Sequence, residues 1–128
     1  MPLTPLPAPF LEALEGKEEL LIGSREGSRI GTVRGWFVTG PPGIVYLFAD
    51  AYSRRAQRWR ADPWIRLTIP GTATSHEGAV EFVTAAELEP ALSELVVDRW
   101  GMWGAATPEG LARMVRDGSH VLVRVAGA

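Results

Sequence analysis

The stretch YLFADAYSRRAQRWRADPWIRL, residues 46–67, decides the fold. Its first letters are an apolar run of strand character and its last letters are another, with Arg54, Arg55, Arg58 and Arg60 gathered between. The middle reads as a helix with Ser53 or Asp50 available as its cap. Pro63 ends it, because the residue before a proline is pushed out of the helical region. On such a helix Arg54 and Arg58 lie four apart, and Arg55 and Arg58 three apart, so they share a face. Like charges at that spacing cost roughly a few tenths of a kcal/mol unless an anion sits between them. A negative partner is therefore expected here.

Working outward, strand signals precede the helix. ELLIGSR (19–25) leads through the turn EGS into RIGTVRGWFV (29–38), the turn TGPPG (39–43) and the strand IVYLFAD (44–50). Pro41, Pro42 and Gly43 mark the clearest turn, since proline presets φ and glycine supplies the left-handed step. These elements form an antiparallel meander. Ahead of it, residues 1–9 read as a proline-rich extended or frayed arm, leaving 10–128 as one domain. FLEALEGKE predicts a short amphipathic helix with Phe10, Leu11 and Leu14 on one face.

Downstream, WIRLTIP is strand, GTATSHEG loop and AVEFVT (79–84) strand again. Thr84 and Glu87 have the spacing of a capping box. A helix is predicted from Pro90 to Trp100, with Leu88, Leu92, Leu95 and Val96 toward the core. After the loop GMWGAA, Thr107 and Pro108 start a last helix that stops at Gly118. SHVLVRVA closes the chain as a strand with Val121, Val123 and Val125 on one face. The prediction is mainly β: six strands, mostly antiparallel, forming a small barrel with short helices between the later strands.

Composition narrows the function. The 128 residues suit a single domain that buries roughly two-thirds of its unfolded surface. A net charge of −2 argues against a nucleic-acid binder, which needs a dominant basic surface. No cysteine is present, so disulfides and thiolate chemistry are excluded. No apolar run reaches membrane-spanning length and no signal peptide opens the chain, so a cytoplasmic protein is expected. His76 and His120 stand far apart in sequence, and no metal site is expected. The carboxylates show no arrangement that names an acid/base pair.

The order meander, YLFADAYSRRAQRWRADPWIRL, strand resembles the FMN-binding split-barrel family that includes the pyridoxamine 5'-phosphate oxidases. That family shows a strand ending in an aromatic residue and a threonine, then Ser-Arg-Lys, a short helix and Asn-Pro before the next strand. The matching letters here are Phe48, Ala49, Ser53, Arg54, Arg55 and Asp62-Pro63. GSRIGTVRGWFV resembles the family's preceding strand. The likeness covers roughly residues 19–69, and beyond them it rests on element order. It implies that Thr32, Val33, Arg34, Gly35, Phe48, Ala49, Ser53, Arg54 and Arg55 contact the cofactor. Arg54 and Arg55 would clamp its phosphate with planar guanidinium forks, helped by the Ser53 hydroxyl and the helix dipole.

Alternatives stand beside several of these residues. Arg34 could reach a phosphate or face outward, and Gly35 could mark close approach to a ligand or a bend. Arg58 and Arg60 are read as surface residues. Trp36, Trp59 and Trp64 are assigned to the core or an interface; Trp100 and Trp103 serve packing, or stack on a flavin or substrate of the partner subunit. Ala49 replaces the family's usual threonine and would lose one hydroxyl contact. The tail GSHVLVRVAGA lacks the oxidases' substrate segment, so pyridoxamine phosphate is not the expected substrate. The resemblance implies a homodimeric flavin-dependent oxidoreductase acting on a small molecule, with FMN in a cleft between subunits. The alternatives are a reductase using the deazaflavin coenzyme F420, a non-enzymatic flavin-binding or sensing dimer, and a structural dimer whose site has decayed.

Overall fold

The computed structural model describes residues 3–127, and for Trp103 the backbone alone. Helix α1 (Ala8–Leu14) precedes strands β1 (Glu19–Glu26), β2 (Arg29–Trp36), β3 (Val38–Gly40) and β4 (Ile44–Asp50). Helix α2 (Arg54–Ala61), β5 (Trp64–Thr68) and β6 (Ser75–Phe82) follow, then α3 (Pro90–Trp100), α4 (Pro108–Arg116) and β7 (His120–Val125). The strands pair in the order β2-β1-β5-β6-β7-β4-β3, every neighbour antiparallel. The edge strands β2 and β3 are consecutive in the chain, separated only by Phe37. One residue can join the two ends of a seven-stranded sheet only if the sheet curls round on itself. The result is a barrel that stays open where β2 leaves β4.

That opening explains the strand count. RIGTVRGWFV is read from sequence as one strand, making six in all, whereas the chain breaks it at Phe37 to make seven. Phe37 is 4 % exposed and turns into the barrel, so the strand bends there and changes partner from β1 to β4. The loop expected at GTATSHEG is also shorter. Strand β6 begins at Ser75, pairing with β5 through Ala79 and with β7 from Val80 to Phe82. Its early residues are largely exposed, so no apolar alternation marks them as strand.

Two apolar clusters flank the sheet. Val45, Leu47 and Ala49 of β4 face the barrel interior with Val121, Val123 and Val125 of β7. Ile44, Tyr46 and Phe48 face outward onto Leu122, Val96 and Trp100 under α3 and α4. Burial on both faces is why IVYLFA carries no polar alternation. Trp59, 1 % exposed, anchors α2 to the interior cluster. The N-terminal segment belongs to that cluster too. Leu6 is 2 % exposed, its N–H donates to the Gly43 carbonyl at 2.9 Å, and the Gly127 N–H donates to Thr4 at 2.8 Å. From Thr4 onward the arm is therefore docked, and the expected boundary at residue 9 falls inside α1. Residues 1 and 2 lie outside the described residues.

Candidate functional site

The β3–β4 ladder pairs Val38 with Tyr46 and stops. Continued, its register would set Trp36 against Phe48 and Arg34 against Asp50. Instead the strands separate, and a cavity of about 470 Å³ fills the gap. Arg34, Gly35 and Trp36 line one wall; Phe48, Ala49 and Asp50 line the other, with Glu19, Arg55, Trp100 and His120 around them. Strand β2 ladders with β1 and β4 with β7, and among the described residues no β2–β4 ladder spans the gap.

The wall is aromatic. The His120 ring stacks on Phe48 with centroids 5.2 Å apart and planes 9° from parallel, and Trp100 meets Phe48 at 5.8 Å. His120 is set there by its ladder position opposite Asp50, and its Nδ1 lies 3.0 Å from the Ser119 hydroxyl. The charges are less balanced than they look. Glu19 stands 3.7 Å from Arg34, and the Asp50 carboxylate accepts the Tyr52 N–H at 2.7 Å. Arg55 has no such relief: its Nε is buried without a hydrogen-bond partner, and among the described residues no carboxylate pairs with it. Burial alone pushes the Arg55 pKa below the ordinary guanidinium value. A half-buried cation beside an aromatic cavity is therefore left to be answered by something outside the chain.

Helix α2 positions Arg55. Ser53 is its cap, accepting the Ala56 N–H at 3.3 Å, while Asp50 serves the preceding turn. The helix stops at Ala61, two residues before Pro63, as the sequence predicts. Buried Ala56 and Trp59 fix which face meets the barrel.

Of the residues expected to contact a cofactor, Arg34, Gly35, Phe48, Ala49 and Arg55 line this cavity. Thr32, Val33, Ser53 and Arg54 are not among its lining residues. Consecutive helical residues project about 100° apart. Arg54 accordingly lines a different cavity, so the two arginines do not close on one point within this cavity. Thr32 and Val33 are exposed on β2. The room left by Gly35 is taken up inside the protein, since a Cβ there would meet Ile22 Cδ1 at 2.9 Å. Ala49 lines the cavity and also belongs to the barrel-core cluster. The sequence assigns Trp36 to packing and places His120 on the last strand, as the structure does. What places them here is the bend at Phe37 and the pairing of β4 with β7, and no local motif signals either. The Trp103 side chain lies outside the described residues.

No protein-family model matches the chain, and no curated protein matches it by sequence. Solved structures do. A candidate pyridoxamine 5'-phosphate oxidase from Listeria innocua aligns with a TM-score of 0.65 at 14 % identity, over 94 % of this chain and 92 % of that one. The heme storage protein HutZ from Vibrio cholerae gives 0.62 at 12 %, over 98 % and 92 %. An FAD-binding protein from Mesorhizobium loti gives 0.57 at 12 %, over 90 % and 82 %. The chain thus has the split-barrel fold shared by pyridoxamine-oxidase-like and flavin-binding proteins. At these identities the likeness extends to the fold alone.

Proposed function

We propose that the cavity at the split binds a flavin, FMN in the first place, and that the protein is a flavin-dependent oxidoreductase acting on a small molecule. One observation carries the reading: the unpartnered Arg55 guanidinium stands at the rim of a cavity walled by Trp36, Phe48, Trp100 and His120. That combination suits a planar aromatic group joined to a phosphate. Arg55 would grip the phosphate through charge-assisted hydrogen bonds. The aromatic wall would hold the ring, and the strand backbone at Arg34, Gly35, Phe48 and Ala49 would meet its polar rim. A bound flavin supplies the hydride chemistry itself, which is why the chain needs no catalytic dyad.

A homodimer with the site at its interface belongs to the same proposal. Strand β2 is exposed on both faces, with Ile30 48 % and Val33 42 % accessible, and Tyr52 and Met102 stand out further at 81 % and 89 %. Thr32 and Val33, which lie outside the one-chain cavity, could meet the cofactor held by a second copy. The test is the absorbance of freshly purified protein, with the mass of any released chromophore separating FMN from F420. A porphyrin spectrum, or FMN binding unaffected by Arg55→Ala, would overturn the flavin reading. Turnover of a nicotinamide donor separates an enzyme from a binding module.

A further inference from the structure

We propose a second anion site on the face of α2 turned away from the split, built to take a phosphate group of a small molecule. Arg54, Gln57, Arg58 and Ala61 follow one another at helical spacing and line a cavity of about 640 Å³. The β1–β2 hairpin residues Arg25, Glu26 and Gly27 face them, with Asp62 at the end of the helix.

The charges do not cancel. Arg25 and Asp62 form a close pair, Nε to Oδ2 at 2.6 Å, and neutralise each other. Arg58 is mostly buried, its side chain 18 % exposed, and its Nε is buried without a hydrogen-bond partner. Glu26 Oε2 stands 4.0 Å from it, beyond hydrogen-bond reach, on a side chain 77 % exposed. Among the described residues the guanidinium makes one hydrogen bond, Nη1 to the Ser24 hydroxyl at 3.5 Å, the outer limit for such a bond. Arg54 has no acidic partner among the described residues. Two guanidinium groups thus face one distant carboxylate. Gly31 makes the arrangement possible, because any Cβ there would collide with the Arg58 guanidinium.

Burying a guanidinium nitrogen without a partner is unfavourable unless something supplies the acceptor. The lining also names the acceptor's chemistry. It holds no aromatic and no large apolar side chain, so a ring has nothing to stack on. Planar forks from two arginines and the Gln57 amide suit an oxyanion with several acceptor oxygens, as a phosphate has. That phosphate can be the second one of a dinucleotide cofactor or can belong to a separate phosphorylated molecule.

Titration of flavin-free protein with inorganic pyrophosphate, by calorimetry at low ionic strength, tests the site. Saturable binding is expected, weakened about tenfold or more by Arg58→Gln and by Arg54→Gln. Arg54 is exposed, so its variant carries the test should Arg58→Gln fail to fold. Absence of saturable binding in the wild type, or equal binding in the folded variants, overturns the proposal. A loss of FAD affinity without a loss of FMN affinity in Arg58→Gln assigns the site to a dinucleotide's second phosphate. Loss of pyrophosphate alone assigns it to a separate ligand. Pyrophosphate binding through Arg58 in a protein that binds no flavin would leave this site standing and remove the flavin reading.

Discussion

Replacing Arg55 with alanine separates a binding residue from a structural one, because the two roles predict opposite changes. Without ligand, the wild-type guanidinium is half-buried, its Nε lacks an acceptor, and burial depresses its pKa. Removing it takes away a desolvation cost and no ion pair, so the flavin-free variant should melt at the wild-type temperature or above it. With FMN the sign reverses. Charge-assisted bonds to a phosphate contribute about 2 kcal/mol, which is roughly thirtyfold in Kd. At FMN one hundred times the wild-type Kd, ligand protection is about 2.7 kcal/mol; a thirtyfold weaker site keeps about 0.9 kcal/mol. For a domain of this size those values correspond to shifts of roughly 10 °C and 3 °C. Paired melting curves with and without FMN read both terms. Arg55→Lys, which keeps charge and loses the fork, should fall between. An Arg55→Ala protein that melts well below wild type without flavin, or keeps the full FMN shift, would refute the reasoning.

Further outcomes follow from packing and titration. Trp59→Ala empties the contact between α2 and the barrel, and should cost about 3–5 kcal/mol in urea unfolding. Leu6→Ala should cost about 2–4 kcal/mol although the residue lies in the N-terminal arm, because its side chain fills the interior cluster. Hydrogen bonds from the Thr84 N–H and hydroxyl, joined by Arg124, hold the Glu87 carboxyl below its ordinary value of 4.5. A depressed carboxyl stabilises the fold above its unfolded pKa and loses that contribution as pH falls through its folded value. Melting temperature should therefore drop on acidification below about pH 4.5, and Glu87→Gln should blunt the drop. Sedimentation should show a dimer, with Val33→Glu shifting it toward monomer; a wild-type monomer at working concentration removes the shared-site proposal.

The parts of the fold legible in the sequence are those where local chemistry and tertiary packing agree. Thr107 caps α4 by accepting the Gly110 N–H at 3.0 Å, Pro108 begins it, and Gly118 after its end takes φ +78°, all as the letters suggest. Val121, Val123 and Val125 share the interior face that their alternation predicts. Strand β4 reads as strand from composition alone, but its burial on both faces becomes visible only once α3 and α4 cover it. The break at Phe37 could not be read, since an apolar residue continuing a strand and one turning into a barrel have the same letter. The opening of the barrel depends on that residue. So does the placement of Trp36 opposite Phe48, and with it half of the candidate site.

The arginine-rich helix shows the same limit at the level of chemistry. Its sequence announces unbalanced positive charge but not its direction, because a phase error of one residue rotates a side chain by about 100°. Only burial of Ala56 and Trp59 sets the phase. Once it is set, Arg55 turns to the split while Arg54 and Arg58 turn to the hairpin, and Arg60 reaches over Phe82 at 5.5 Å. One cluster in sequence becomes three environments in space. Two of them, at Arg55 and Arg58, keep a buried guanidinium nitrogen without an acceptor. A helix whose arginines served only solubility would leave those nitrogens in water. That Arg55 and Arg58 line two different cavities is the physical reason to expect two anionic groups, and a double-variant binding measurement tests it. Their effects on FMN and on pyrophosphate should add without coupling, and a coupling energy above about 0.5 kcal/mol would mean that both grip a single anion.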